Sequence, residues 1–216
     1  MLASASHSLT VAPSFALSLS PDLPLTQEFL KLHNTVPAGT YEGKPVKESM
    51  PMVYFADETF KTGNKLQPSS AEGKEAMKAL ITKFTSGQYD VTGPFYQLLF
   101  SELDDKTLPS KTASLLASYA ELSKDLSASG GPYLVGQQFT AADIAVIPFV
   151  DRALLLLGHY RSFVVPDTEE YKSFHAWRKA YKSRLSYQIT NADRLPRSVA
   201  VQPFAATKRD AYIIEM

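Results

Sequence analysis

FTAADIAVIPFVDRALLLLGHY, residues 139–160, marks a helix more clearly than any other stretch of the chain. Thr140 stands where its hydroxyl can accept from the amide three residues on. Asp143 stands where its carboxylate can accept in return from the Thr140 amide, an acidic form of the capping box. Phe139 and Ile144 occupy the two positions of a hydrophobic staple. Beyond the cap the segment is apolar nearly all round, which predicts a buried central helix rather than a surface one. Pro148 predicts a kink and not an end, because the apolar run continues to Leu157. No chemistry is expected of this helix; it reads as core.

The segments around it share its period. Met77, Leu80, Ile81 and Phe84 fall on one helical face, and Leu115, Leu116, Tyr119, Leu122 and Leu126 on another. GPFYQLLFSEL (93–103) continues or follows the first of these. Within residues 167–185, Tyr171, Phe174, Trp177, Arg178 and Tyr181 recur at spacings of three and four. No strand is expected after residue 65. Residues 71–216 therefore read as an all-α helical bundle, and the breaker-rich KTGNKLQPSS (61–70) supplies, over 62–70, the linker that precedes it.

Residues 1–61 read differently. FALSLS (15–20) alternates like a short strand, and LTQEFLKLH (25–33) places Leu25, Phe29 and Leu32 at helical spacing. A Val36-Pro37 step leads to a strand at Ala38 to Tyr41, a turn at Glu42-Gly43-Lys44 and a strand at Pro45 to Lys47. Glu48 and Ser49 then open a helix that ends near Lys61, with Ser49 as N-cap and Pro51 in the first turn, where a missing N–H costs nothing. The order is strand, helix, strand, strand, helix.

Composition narrows the chemistry. Twenty-two basic and twenty-two acidic residues balance, so no net field draws the 216-residue chain to nucleic acid or an anionic membrane. There is no cysteine, which removes disulfides, thiolate metal sites and cysteine nucleophiles. The four histidines show no ligand spacing, and no metal is expected. No phosphate-cradling glycine loop or nucleophile elbow occurs. No apolar run approaches the roughly 20 residues of a membrane span. Residues 1–21 are rich in serine and free of Asp, Glu, Lys and Arg, a composition that fits organellar targeting only in part because arginine is missing, and a cytoplasmic location is expected.

Four pieces in this order, EFLKLH, VPAGTYEGKPVKES, the capped core helix and FHAWRKAYKSRL, resemble the soluble glutathione S-transferase family from about Phe15 to about Thr190. The resemblance implies an α+β fold, with a partial thioredoxin-like α/β domain followed by an all-α helical-bundle domain. It also implies a site. The Val36 backbone before a cis Pro37 would bond the cysteinyl part of glutathione as a strand does. Glu48 would take the ammonium of the γ-glutamyl end. Ser49 and the first free helix amides would take its carboxylate. Glutathione would be a co-substrate, a small electrophile its partner, and a homodimer the assembly.

The family pattern places a strand and a helix, and the hydroxyl or thiol that activates glutathione, ahead of the strand-helix pair read here. That takes roughly 26–35 residues at ordinary element lengths, and only 24 precede Leu25. The expectation is that this catalytic segment is missing from the chain. Ser14 stands too close to Val36 to replace it, and the thiol-activating residue stays unassigned. Two functions follow: a transferase that conjugates glutathione to small electrophiles, or a non-catalytic binding or protein-interaction module of the same shape.

Overall fold

Tyr41 and Lys44 face each other across a two-residue turn, and this turn organises the first part of the structure. The computed structural model describes residues 38–42, 44–60, 65–100 and 107–191. The chain divides into two compact units, Met1–Gly63 and Asn64–Glu215. The strand expected at 15–20 and the helix expected at 25–33 lie outside the described residues.

In the first unit β1 (Ala38–Tyr41) pairs antiparallel with β2 (Lys44–Lys47), in the register Ala38 to Lys47, Gly39 to Val46, Thr40 to Pro45 and Tyr41 to Lys44. Glu42, at φ 48°, lies in the left-handed region that tight hairpin turns require. The chain then enters α1 (Ser49–Thr59), which packs against β2. The rings of Tyr41, Phe55 and Phe60 meet edge to face, with centroids 5.1 to 6.5 Å apart, and tie the hairpin to both ends of this contact. The helix stops at Thr59, two residues before the expected end, because Phe60 turns to extended backbone.

The second unit is helical. In α2 (Ala71–Thr85) Ser70 caps the start by accepting from the Gly73 amide at 3.0 Å. Asp90 accepts from the Thr92 and Gly93 amides at 2.7 and 2.9 Å, which makes α3 (Thr92–Phe100) a separate helix rather than a continuation. The longest helix is α4 (Thr107–Ala128). Next come α5 (Ala141–Arg152), a π-helical turn over Ala153–Leu157 and α6 (Gly158–Arg161), which ends at Ser162 with φ 53°. A 3-10 turn, Glu169–Tyr171, leads into α7 (Lys172–Lys182), and α8 (Leu185–Asn191) follows. Apart from two isolated bridges, Tyr133 to Gly136 and Val135 to Gln138, no strand pairing occurs after residue 65 among the described residues.

The capped helix is where the sequence places it. Its box is complete: the Thr140 hydroxyl accepts from the Ala142 amide at 3.3 Å, and Asp143 Oδ2 accepts from the Thr140 amide at 2.9 Å. The helix continues through Pro148, which is not its end, and a π-helical turn follows Arg152. Helix α5 packs on α2, while α4 packs on α3 and α7. Met77, Phe84, Phe95, Leu115, Tyr119, Leu122, Val146, Val150, Leu157, Phe174, Trp177 and Tyr181 are all buried between them. The α+β class stands, with a small hairpin-and-helix unit and an all-helical one.

Candidate functional site

The end of β2 hands the chain to α1 through one strained residue. Glu48 has φ 68° and ψ 145°, a conformation that side chains other than glycine rarely adopt. Its carbonyl already accepts the first helical hydrogen bond, from the Met52 amide at 3.0 Å. Glu48 is therefore the N-cap and Ser49 the first helical residue, which corrects the expectation that Ser49 caps the helix. The cause is that strained backbone: the chain turns into the helix at Glu48, one residue early. The Glu48 side chain makes no capping bond.

Both side chains are exposed. Of the first three helical residues only Ser49 and Met50 present amides, because Pro51 has no N–H. The helix start has no acid in its first turn, so its positive end is not neutralised from within. An exposed hydroxyl, a carboxylate and two amides without a partner among the described residues thus gather at one helix end. Such a set can hold an amino acid's carboxylate on the amides and hydroxyl, and its ammonium on Glu48.

Of the four residues expected at this site, Glu48 and Ser49 are brought together at the helix start. Val36 and Pro37 lie outside the described residues. The register sets Ala38, which follows Pro37, opposite Lys47, which precedes Glu48.

Buried polar groups of the helical unit serve its packing. Asp143 is fully buried and accepts from the Leu134 amide at 3.1 Å, Trp177 Nε1 at 2.8 Å, and the Thr140 amide and hydroxyl at 2.9 and 3.3 Å. Loss of solvent pushes its carboxyl above the usual aspartate value, and these four hydrogen bonds pull it back only in part. Asp151 accepts from the hydroxyls of Tyr181 and Tyr187, each at 2.7 Å. Burial first, then Asp151, drives the Tyr181 hydroxyl far above the normal tyrosine value. Sequence reasoning found the Thr140–Asp143 half of this network from its spacing of three. It missed Trp177, Asp151 and Tyr187, whose partners are 30 to 36 residues away and leave no local pattern. Among the described residues no group of three His, Cys, Asp or Glu side chains is placed to hold a metal, and no helix is long and apolar enough to cross a membrane.

Comparison with known proteins shows what the chain is similar to. Residues 105–180 match the family model for the glutathione S-transferase C-terminal domain. The chain is 27% identical over 182 residues to Glutathione S-transferase DHAR2 of Arabidopsis thaliana, a match covering 84% of this chain and 72% of that protein. It is 29% identical over 160 residues to Glutathione S-transferase L3 of the same plant, covering 74% of this chain and 62% of the relative. Among solved structures, glutathione transferase Omega 3C from Trametes versicolor superposes with a TM-score of 0.65 at 24% identity, over 79% of this chain and 70% of that one.

Proposed function

We propose that this chain, which belongs to the glutathione S-transferase family, binds glutathione at the start of α1 and conjugates it to small electrophiles. The glutathione-binding domain is residues 1–61, joined through 62–70 to the helical transferase domain at 71–216. Val36, Pro37, Glu48 and Ser49 are its binding residues. One observation carries the reading: Glu48 and Ser49 stand exposed and side by side at a helix end whose own residues do not satisfy it. The amides of Ser49 and Met50, with the Ser49 hydroxyl, hold the γ-glutamyl carboxylate, and Glu48 holds the ammonium. Glutathione supplies the thiolate that attacks the electrophile, and the protein's part is to hold the two within reach. The residue that stabilises the thiolate is not assigned. A homodimer in the cytoplasm, acting in detoxification or stress metabolism, completes the proposal.

Titration calorimetry of the chain with glutathione tests it. Ser49→Ala and Glu48→Gln each lower affinity about tenfold or more, the loss of one hydrogen bond to a charged group. Glutathione consumption with an aryl halide then separates two outcomes. Binding with thioether formation supports the transferase. Binding without turnover assigns the chain to the non-catalytic binding module instead, and no binding overturns every reading that places glutathione at the start of α1.

A further inference from the structure

Sulfur is confined to methionine in this chain, which has five methionines and no cysteine. Three of them fall within the described residues. Met77 is fully buried in the helical unit. Met50 and Met52 stand at the start of α1, and both are partly exposed. The two described methionines that solvent reaches therefore flank the residues proposed to hold glutathione.

Met52 touches both sides of the junction. A β-carbon at position 39 would meet its terminal methyl at 3.6 Å, so the thioether end of Met52 covers Gly39, which is buried in β1 opposite Val46. Its amide donates to the Glu48 carbonyl at 3.0 Å, the first bond of the helix. A thioether suits such a contact because it is apolar and flexible. A sulfoxide does not, because its oxygen is a strong acceptor that needs water or a donor.

We propose that Met52 is a peroxide-sensitive modification site whose oxidation weakens glutathione binding, an inference that rests on glutathione being held at the start of α1. The sulfur lone pair attacks one oxygen of hydrogen peroxide. The S–O bond forms, the O–O bond breaks, and the proton on the transferred oxygen passes to the departing hydroxide to give water. The sulfur loses the electron pair that the peroxide gains, and methionine sulfoxide reductases reverse the change. The new oxygen must reach water, which lifts Met52 from Gly39 and loosens the helix start, where Glu48 already holds strained backbone. The Glu48 carboxylate and the Ser49 and Met50 amides then lose their fixed spacing.

The absence of cysteine makes the test direct, because no thiol competes for the oxidant. The full chain is treated with hydrogen peroxide, the peroxide is removed, and peptide mass spectrometry locates the added oxygen. Met52 should be oxidised about tenfold faster than buried Met77. Affinity for glutathione, read by calorimetry, should fall about tenfold, the loss of one hydrogen bond to a charged group. Hydrogen exchange at the β1 amides should quicken. Methionine sulfoxide reductases with dithiothreitol should restore both in the unsubstituted chain. Met52→Leu, a change close in volume, should make both insensitive to peroxide although the other four methionines remain. Met50→Leu should stay sensitive. Met52 oxidised no faster than Met77 overturns the proposal. So does a Met52 sulfoxide that leaves affinity and exchange unchanged, or a loss that persists in Met52→Leu. An untreated chain that does not bind glutathione overturns the binding reading alone. The exchange rates then decide by themselves: loosening by peroxide that Met52→Leu abolishes supports the modification site, and its absence overturns it.

Discussion

Trp177 donates its indole N–H to Asp143 at 2.8 Å, and both side chains are buried. The bond joins α7 to the capped start of α5, so one carboxylate both begins a helix and fixes its neighbour. Asp143→Asn keeps the volume but turns an amide N–H toward the Thr140 donors. It is expected to cost about 2–4 kcal/mol, since buried donors lose their acceptor. Trp177→Phe removes one of the four donors and is expected to cost about 1–3 kcal/mol. The double variant should cost less than the sum, because the two share one bond. Denaturant titration checks this. Trp177 is the only tryptophan, so fluorescence follows the parent and the Asp143 variant, and circular dichroism follows the others.

Tyr119 makes the opposite case. Its ring stacks on Phe174 at 5.0 Å and is fully buried, yet its hydroxyl has no partner among the described residues. Burial drives that hydroxyl's pKa far upward. Tyr119→Phe keeps the stacking and removes the orphan group, so stability should rise by about 1 kcal/mol. A lower denaturation midpoint would show instead that the hydroxyl is satisfied, for instance by an internal water.

Lys83 links α2 to α4 through Glu121 at 2.8 Å and Asp125 at 2.6 Å. Burial works against the ammonium, but its bonds to Asp125 and Glu121 outweigh this and hold Lys83 above the ordinary lysine value. The bond from Lys83 holds Glu121 below the ordinary glutamate value, with burial opposing. For the lowered acid, the contribution to stability is present above the unfolded value and is lost as pH falls through the folded one. For the raised base, it is present below the unfolded value and is lost as pH rises through the folded one. Glu121→Gln should therefore flatten the acid limb of the stability profile. Lys83→Met should remove the alkaline loss and cost about 1 kcal/mol near neutral pH, less in high salt. Melting profiles across pH at two ionic strengths read both effects.

How much of this was legible follows from how local each feature is. The hairpin was read as Ala38 to Tyr41 and Pro45 to Lys47, and the observed strands differ by one residue, because turn chemistry and alternation act over a few positions. The cap at Thr140 and Asp143 was read because both partners lie within one turn. Pro148 does not end its helix, as the continuing apolar run implied, while the π-helical turn after Arg152 has no proline to announce it. The Trp177–Asp143 and Tyr187–Asp151 bonds depend on helices meeting in space, which no spacing encodes. At the candidate site the residue types were legible, while the backbone conformation of Glu48 was not: glutamate carries no sign that its φ will be positive.

That conformation separates binding from folding in one substitution. A residue with a β-carbon held at φ 68° and ψ 145° costs about 1–3 kcal/mol of strain, whereas glycine adopts it freely. Glu48→Gly relieves the strain but adds about 0.5–1 kcal/mol of unfolded-chain entropy. The hairpin unit should gain the difference, up to about 2 kcal/mol. If Glu48 serves only to turn the chain, glutathione affinity stays the same or improves with the firmer helix start. If its carboxylate holds the ammonium, affinity falls about tenfold or more although the fold is more stable. Hydrogen exchange at the β1 and β2 amides measures the first quantity and calorimetry the second. Slower exchange with weaker binding is the expected pair, because a strained glutamate persists only where its side chain is needed at that point in space.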